Sequence, residues 1–453
     1  MIRFGDIRQV YFIGIGGIGM SALARYFLSK GIVVSGYDKT ATTLTRELEA
    51  SGMKIVYDDR PETVPVDVDM VVYTPAIPSG NKILQYFQAK QQPLMKRSDV
   101  LQLISESSFN ICIAGTHGKT TISTMTAHIL RHSGYGCNAF LGGIAANYGT
   151  NFWSHERNVA VIEADEYDRS FLKLSPDIAV ISAMDADHLD IYGTAEEMEK
   201  AFIAFSGKVK SGGVLFAQSG LKRGSELRSP RKLTYALQDN EADISASVPV
   251  AKDGAYEYNV RSGEWKLDKV ILNMGGLHNV ENSLAAIAIA HELGIEDDKI
   301  REAVAAFRGV KRRFEYKLKN ERFTYVDDYA HHPEELRALI TGARDMFKGK
   351  KCTMIFQPHL FSRTRDFAEG FAESLDLADE VILLPIYPAR EEPIPGVDSN
   401  MIAGLMKKSH QVMANKEAVL RWVEENEPEL LITAGAGDID QLTESITNTL
   451  RKK

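Results

Sequence analysis

Short apolar runs alternate with amphipathic stretches through the first hundred residues. An apolar run at 10–13 is followed by a glycine-rich turn, an amphipathic stretch at 20–29 and a second apolar run at 32–36. This order predicts a β-α-β unit, because strands appear as short apolar runs and helices as longer stretches with a 3.6-residue period. Another apolar run at 70–73 continues the pattern, and a polar stretch at 91–97 interrupts it. We therefore predict a first α/β domain over residues 1–105.

The middle of the chain begins with the same alternation and then changes. Between residues 213 and 274, short runs of alternating apolar and polar residues predict antiparallel hairpins, after which two helices close the block. We predict a central domain over residues 106–309, with a mixed sheet that has an antiparallel portion. Its predicted strands are 109–114, 159–162, 178–182, 232–236, 255–260 and 264–272, and its predicted helices are 120–131, 280–293 and 297–307.

Strand and helix alternation resumes after Gly309. This pattern predicts a further α/β layer over residues 310–453, and an α/β protein of three domains. The predicted strands are 323–326, 352–356, 380–384 and 430–433, and the predicted helices include 333–347 and 416–424.

Composition and charge limit the functions that fit this pattern. The chain has 453 residues, of which 44% are hydrophobic and 25% charged, values typical of folded globular proteins rather than disordered or fibrous ones. A net charge of -8 gives no overall positive field for nucleic acid or an anionic membrane surface. The cysteines Cys112, Cys137 and Cys352 are widely spaced, and we find no long apolar run. We predict a cytoplasmic protein without a membrane anchor.

The first glycine turn fits a nucleotide-binding pattern. Gly14, Gly16 and Gly19 follow a predicted strand and open a predicted helix, and Asp38 follows the next strand. This is the dinucleotide fingerprint, in which backbone N–H groups at a helix N-terminus approach a diphosphate. The residues leave open whether that diphosphate belongs to NAD or to another nucleotide.

A second glycine loop covers residues 115–121, Gly-Thr-His-Gly-Lys-Thr-Thr, between a predicted strand and a predicted helix. Its amides would form an anion site, Lys119 would reach the β- and γ-phosphates and Thr120 would bind Mg²⁺. The pattern is incomplete, because Ile113 stands where the first glycine of the phosphate-loop motif is usual. The chain thus has two loops of the kind that binds a diphosphate, whereas a dehydrogenase needs only one.

Acidic residues follow two of the predicted central strands. The first group follows the strand at 159–162 and the second follows the strand at 178–182. Beside a phosphate loop, such residues suit metal and phosphate chemistry, although helix caps and turns would use the same residue types. The groups are Glu163, Asp165, Glu166 and Asp168, and Asp185, Asp187, His188 and Asp190.

Cations and histidines mark the last third of the chain. Residues 311–314, Lys-Arg-Arg-Phe, form either a solvated linker or a hinge whose cation moves onto a phosphate. Residues 327–332 and 357–365 each follow a strand and contain histidines, but their spacing does not favour a zinc site.

The chain resembles the Mur ligases, the ATP-dependent amide-forming family of bacterial cell-wall synthesis. The resemblance implies an N-terminal Rossmann-like domain for a UDP-sugar, a central P-loop ATPase-like domain and a C-terminal Rossmann-like domain that brings the amino acid. Eight motifs carry it in order, at residues 12–24, 115–121, 163–166, 187–190, 278–282, 312–314, 327–333 and 356–364.

The resemblance also implies a reaction. L-alanine would be joined to the lactyl carboxylate of UDP-N-acetylmuramate through an acyl phosphate, with ATP and Mg²⁺ or Mn²⁺. The partners are then small molecules, and the protein would be a monomer or a homodimer.

The family's site residues carry over to matching positions. The UDP-sugar would meet Gly14, Gly16, Gly17, Ile18, Gly19, Asp38 and Thr74. ATP would meet Gly115, Thr116, His117, Gly118, Lys119, Thr120, Thr121, Asn279, Asn282, Arg313 and Asp328. Thr120, Glu163 and His188 would bind the metal, and Tyr329, His331, His359 and Arg363 would bind the amino acid. The implied catalytic residues are Lys119, Glu163, His188, Arg313 and His331.

Two positions depart from the family pattern. Leu360 stands where close relatives carry arginine, which leaves the amino-acid carboxylate with fewer partners, and His359 or Arg390 could compensate. Ile203 stands where some sister ligases have a carbamylated lysine. A muropeptide-recycling ligase, an NAD-dependent dehydrogenase and a binding protein without turnover are the alternatives.

Overall fold

The computed structural model describes residues 7–167, 169–185, 189–389 and 391–453. The chain forms two compact units. One comprises residues 1–247, 260–267 and 281–304, and the other comprises residues 248–259, 268–280 and 305–453. The division into three domains at residues 105 and 309 is a separate statement from these two units, and it stays a prediction.

The N-terminal part of the first unit is a parallel sheet with spatial order β3–β2–β1–β4–β5. Because β2 and β4 flank β1, the loop after β1 lies where the strand order reverses, the usual place for a ligand in an open α/β sheet. The strands are β1 (Gln9–Ile13), β2 (Val33–Tyr37), β3 (Lys54–Val56), β4 (Met70–Tyr73) and β5 (Leu94–Lys96). The helices are α1 (Ile18–Ser29), α2 (Thr43–Ala50), α3 (Lys82–Ala89) and α4 (Arg97–Glu106).

A second sheet of the first unit has the order β8–β7–β9–β6–β10–β11–β12–β13. Its strands run parallel except for β8, which pairs antiparallel with β7 at the edge. The strands are β6 (Phe109–Ala114), β7 (Asn138–Ala145), β8 (Thr150–Trp153), β9 (Val159–Glu163), β10 (Ile178–Ile181), β11 (Val214–Gln218), β12 (Lys232–Leu237) and β13 (Ile244–Ala246). The helices are α5 (Lys119–His132), α6 (Leu189–Tyr192) and α7 (Ala195–Ser206).

The antiparallel prediction is wrong for residues 232–236. They form β12, which pairs parallel with both of its neighbours, β11 and β13. Alternating burial shows that one face of a strand is covered, but it does not encode the direction of the neighbouring strand. The predicted run at 255–260 does pair antiparallel, since Val260 opposes Ala246 of β13.

Helix α1 packs on β7 and β8, which joins the N-terminal and central parts of the first unit. The ring of Tyr26 lies 5.3 Å from that of Phe140 and 6.1 Å from that of Phe152. Buried Asn151 donates its side-chain N–H to the carbonyl of Ile18 at 2.6 Å, at the first residue of the helix. The glycine loop before α1 is therefore held in place by residues of the larger sheet.

The second unit is built on a sheet with the order β17–β18–β22–β19–β20–β21, in which β17 alone pairs antiparallel. Strands β15 and β16 and helices α8 and α9 have residues in both units. The strands are β14 (Val250–Lys252), β15 (Ala255–Ser262), β16 (Trp265–Leu272), β17 (Glu315–Lys319), β18 (Thr324–Asp328), β19 (Cys352–Phe356), β20 (Glu380–Leu383), β21 (Ser409–Val412) and β22 (Leu430–Ala434). The helices are α8 (Leu277–Glu292), α9 (Asp297–Ala306), α10 (Pro333–Met346), α11 (Phe361–Asp366), α12 (Ala368–Leu375), α13 (Ser399–Ala403), α14 (Lys416–Glu425) and α15 (Thr443–Lys452). In the described part of the chain, no helix has the length and apolar character needed to cross a membrane.

Candidate active site

The first glycine loop is a tight turn between β1 and α1. Gly14 has a φ of 85°, and the amides of Gly14 and Ile15 donate to the carbonyl of Tyr37 at 2.7 and 3.1 Å. Gly17 is the N-cap of α1, and no described side chain caps that helix end. The first amides of α1 thus keep the arrangement that suits an anion.

Asp38 holds the first loop in its conformation. Its Oδ2 accepts a hydrogen bond from the amide of Gly16 at 2.7 Å. A Cβ at residue 16 would lie 2.8 Å from the same oxygen, so a larger residue there would displace the carboxylate of Asp38. Thr74, at the end of β4, lies against the loop, since a Cβ on Gly14 would be 3.3 Å from its methyl group. The structure therefore brings the predicted UDP-sugar residues together.

The second glycine loop joins β6 to α5. Gly118, the N-cap of α5, has a φ of 83°, and Gly115 has a φ of 139°, backbone conformations that favour glycine. The loop is tied to residues that follow β10, because Thr116 donates its amide to Ala183 at 3.2 Å and accepts from the amide of Asp185 at 3.2 Å. His117 is exposed, while Thr121 is buried.

Lys119 is fixed by two acceptors. Its Nζ donates to the carbonyl of Gly115 at 2.6 Å and to Oε1 of Glu166 at 2.7 Å. Glu166 is buried, and burial raises the pKa of its carboxyl group, while the neighbouring Lys119 opposes that rise. Sequence reasoning placed Glu166 in an acidic group but missed it as the partner of Lys119. Its position three residues after Glu163 was the available signal.

The predicted metal ligands Thr120 and Glu163 are adjacent. The hydroxyl of Thr120 donates to Oε1 of Glu163 at 3.0 Å, and Oε2 accepts from the amide of Gly142 at 2.9 Å. The third predicted ligand, His188, lies outside the described residues, as do Asp168, Asp187 and Arg390. Within the described ranges no three His, Cys, Asp or Glu side chains form a metal-binding group.

The predicted adenine residues Asn279 and Asn282 lie on α8. Asn282 lies against the second loop, since a Cβ on Gly118 would be 2.6 Å from its Oδ1. Asn279 is buried and donates to the carbonyl of Gly275 at 2.6 Å.

In the second unit, Asp328 shapes the segment that carries Arg313. Its two carboxylate oxygens accept from the amides of Phe314 and Ala330 at 2.6 and 2.7 Å. Burial raises the pKa of Asp328 to about 6. Arg313 is exposed, whereas its neighbour Arg312 is partly buried.

Arg312 is bound into the sheet of the second unit. Its Nε lies 3.4 Å from Oδ2 of Asp327, and its guanidinium lies over the ring of Tyr329 at 5.1 Å. The carbonyl of Gly435 accepts a further hydrogen bond from it. The basic run at 311–314 is therefore not a uniformly solvated linker, because one of its arginines is structural.

The predicted amino-acid residues form one cluster in the second unit. The ring of His331 lies 5.3 Å from that of Tyr329 and 6.2 Å from that of His359. NH1 of Arg363 lies 3.5 Å from Nδ1 of His359. Burial lowers the pKa of both histidines, which favours their neutral forms. The cluster thus combines a cation with two imidazoles whose neutral forms are favoured.

Leu360 precedes α11 in an unusual backbone conformation. Its φ is 71°, a region that residues with a Cβ rarely adopt. The amide of Leu360 donates to the carbonyl of Tyr387 at 2.9 Å, and its carbonyl accepts from the amide of Thr364 at 3.1 Å. These two bonds hold the turn that carries Arg363.

Three family models match consecutive parts of the chain. The model described as "Mur ligase family, catalytic domain" matches residues 9–108, "Mur ligase middle domain" matches residues 113–290, and "Mur ligase, glutamate ligase domain" matches residues 312–437.

Proteins named UDP-N-acetylmuramate–L-alanine ligase match over almost their whole length. The protein of Phocaeicola vulgatus is 45% identical over 99% of this chain and 99% of its own. That of Cytophaga hutchinsonii is 46% identical over 97% of this chain and 96% of its own.

Solved structures match as well. The UDP-N-acetylmuramate–alanine ligase of Thermotoga maritima has a TM-score of 0.84 at 28% identity, covering 98% of this chain and 99% of that one. A murein peptide ligase of Psychrobacter arcticus shares the fold, with a TM-score of 0.66 at 22% identity and 98% of each chain covered.

Proposed function

The chain belongs to the Mur ligase family, and we propose that it joins L-alanine to the lactyl carboxylate of UDP-N-acetylmuramate while ATP is converted to ADP and phosphate. The product is a precursor of peptidoglycan. The observation that carries the proposal is the arrangement after β6 and β9, where Lys119, Thr120 and Glu163 lie around one glycine loop. Together with relatives at 45 and 46% identity over nearly the full chain, it supports an ATP-using ligase.

The reaction runs in two steps. A carboxylate oxygen of the sugar attacks the γ-phosphorus of ATP, the bond from that phosphorus to the β–γ bridging oxygen breaks, and ADP leaves. The product is an acyl phosphate, which is a better acyl donor than a carboxylate. The amine of L-alanine then attacks the acyl carbon, and phosphate leaves with the electron pair of the carbon–oxygen bond.

Side chains of the protein stabilise the developing charge, take up a proton and bind the amino acid. Lys119 and Arg313 offset the negative charge that develops during phosphoryl transfer. His331 takes a proton from the ammonium group of alanine, a role for which its neutral form is required. Arg363 binds the carboxylate of alanine, with Tyr329 and His359 beside it.

The oxygen donors at the second loop suit Mg²⁺. Thr120 offers a hydroxyl and Glu163 a carboxylate, the hard oxygen ligands that this ion prefers. With His188, these residues would hold Mg²⁺, which supplies positive charge at the phosphates and can be replaced by Mn²⁺.

The first glycine loop binds the diphosphate of the UDP-sugar in this proposal, through Gly14, Gly16, Gly17, Ile18 and Gly19. The uncapped start of α1 supports an anionic ligand. We keep the three-domain division at residues 105 and 309, with the UDP-sugar, ATP and amino acid assigned to successive domains. A reaction that consumes ATP and a nucleotide sugar fits a cytoplasmic protein. We keep a monomer or a homodimer as the prediction for its oligomeric state.

Phosphate release from ATP tests the function. We expect release that requires UDP-N-acetylmuramate and L-alanine together, with little release when L-alanine is omitted or replaced by L-Ala-D-Glu. Release with the dipeptide but not with L-alanine would indicate a muropeptide-recycling ligase instead. Consumption of NADH would indicate the dehydrogenase.

A further inference from the structure

A cavity of about 100 Å³ lies between the start of α1 and the end of β9. Among the described residues that line it, Arg97 is the one cationic side chain. The cavity is next to the proposed site of phosphoryl transfer, because Glu163 forms part of its wall. Its lining includes Ile18, Gly19, Arg97, Gly142, Glu163 and Asp165.

Arg97 is held by contacts on two sides. Its NH2 lies 3.0 Å from Oδ2 of Asp165, and its NH1 lies against Gly19, where any Cβ would overlap it. A side chain at residue 19 would therefore displace the guanidinium of Arg97 from this position. The side chain of Arg97 is 22% exposed, so its charge is less screened than that of a surface arginine.

A second ion pair fixes the start of α4 independently of the cavity. Asp99 pairs with Lys173, and Nζ of Lys173 also lies 3.1 Å from the hydroxyl of Ser98. Lys173 does not line the cavity. The helix start is thus held by one ion pair at the cavity and one away from it.

We propose that Arg97 binds the carboxylate of the acid substrate, with Asp165 as the counter-ion that orients its guanidinium. The inference rests on the proposed function, in which a carboxylate must reach the phosphoryl-transfer site. Asp165 contacts one guanidinium nitrogen, and arginine has five N–H donors in a planar fork that matches a carboxylate. Arg97 would then distinguish a nucleotide sugar whose sugar carries a carboxylate from one whose sugar carries none.

The position of the cavity favours the carboxylate over the diphosphate. Its wall continues from Gly19 to Ala22, one turn further along α1, and to Gly142 and Glu163. Gly142 contacts Glu163 directly through its amide, at 2.9 Å. The cavity therefore extends from the loop that suits a diphosphate towards the proposed metal ligand.

The test compares two ligands that share the UDP group. UDP-N-acetylmuramate carries the lactyl carboxylate, and UDP-N-acetylglucosamine lacks it. We would measure the binding of both to the full-length protein by calorimetry without ATP. The wild-type protein should prefer UDP-N-acetylmuramate. Arg97→Gln should weaken its binding about 10- to 100-fold, as expected for a lost charged hydrogen-bond pair, and change the binding of UDP-N-acetylglucosamine by less than about threefold.

Two further variants keep the test decisive. Arg97→Lys retains the cation without the fork, so its preference for UDP-N-acetylmuramate should be smaller than that of the wild type. This comparison tests the inference even if Arg97→Gln does not fold. Lys173→Gln breaks the neighbouring ion pair and should keep the full preference, because it loosens the same helix start without touching the cavity.

Equal weakening of both ligands in Arg97→Gln would overturn the inference, since it would indicate contact with the diphosphate. A preference that persists in Arg97→Gln would overturn it as well. Failure of the proposed function is a separate result: the wild-type protein would then not release phosphate with UDP-N-acetylmuramate and L-alanine.

Discussion

Lys119 and Glu166, 47 positions apart in the sequence, form an ion pair of 2.7 Å at the second glycine loop. The side chain of Glu166 is 1% exposed, so the ammonium group of Lys119 has a buried counter-ion. A second acceptor, the carbonyl of Gly115, lies 2.6 Å away. Lys119 is therefore oriented by the protein itself, in a position suited to a phosphate.

Replacing Lys119 by alanine tests the role of this cation. We expect Lys119→Ala to lower the rate of ligation about 10²- to 10³-fold, because a positive charge at the transferring phosphoryl group is lost. Binding of UDP-N-acetylmuramate should remain nearly normal, because it uses the other glycine loop. Phosphate release and calorimetry measure the two effects. Lys210→Ala is the control, since Lys210 also pairs with a carboxylate, Asp177 at 2.8 Å, beside the starts of β6 and β10.

The Mg²⁺ concentration that the enzyme needs for activity should depend on Glu163. We expect Glu163→Gln to raise the Mg²⁺ concentration for half-maximal activity at least about tenfold, because an uncharged amide oxygen is a weaker ligand than a carboxylate. Titration of activity with Mg²⁺ measures this change. Glu199→Gln is a matched control, because Glu199 is a buried carboxylate that pairs with Lys222 at 2.7 Å. An unchanged Mg²⁺ curve for Glu163→Gln would argue against a metal ligand at this position.

Arg313 should affect turnover more than ATP affinity. Its side chain is exposed on a segment held by Asp328, so it can serve a transition state without a structural role. We expect Arg313→Ala to lower kcat about 10²-fold with a smaller effect on ATP binding. Lys311→Ala, an exposed cation of the same segment, should change neither. Equal effects of Arg313→Ala on kcat and ATP affinity would make it a binding residue.

The loss of activity at low pH should follow the protonation of His331. Burial lowers the pKa of His331, while Glu335, 3.4 Å away, raises it. The neutral imidazole is then lost only as the pH falls through a value below about 6.5, and activity falls with it. Glu335→Gln removes the charge that raises the pKa, so the acid limb of kcat/KM should move to lower pH. Glu334→Gln should not move it, and a shift to higher pH for Glu335→Gln would contradict the assignment.

Binding of the carboxylate group of L-alanine should depend on Arg363. We expect Arg363→Ala to raise KM for L-alanine about 10- to 100-fold, because a charged hydrogen-bond pair is lost. Leu360→Arg should be neutral or lower KM, since leucine and arginine are both unbranched at Cβ and meet similar backbone strain at a φ of 71°. Rates across alanine concentrations measure both variants. An unchanged alanine profile in Arg363→Ala would assign the carboxylate to another group.

Local features were predictable because their interactions lie within a few residues. The two glycine loops occur where an apolar run precedes glycines and an amphipathic stretch follows, and they form the turns after β1 and β6. Gly14 and Gly118 adopt positive φ values there, which glycine does at low cost. The strand at 352–356 likewise has the predicted bounds, because all five of its residues are buried and four of them are apolar.

Pairings between distant residues were decided by the tertiary structure. The sequence placed Glu166 and Asp165 after a strand, but the direction of each side chain depends on which strands and helices lie beside that strand end. Arg97 reaches Asp165 across 68 positions because α4 packs against the turn that follows β9. The parallel neighbours of β12 are a further case, because the order of strands in a sheet depends on the packing of connections far apart in the chain. Hydrophobic patterning and the glycine positions by themselves therefore predicted many of the elements and the two loops, and packing determined which charges meet at the site.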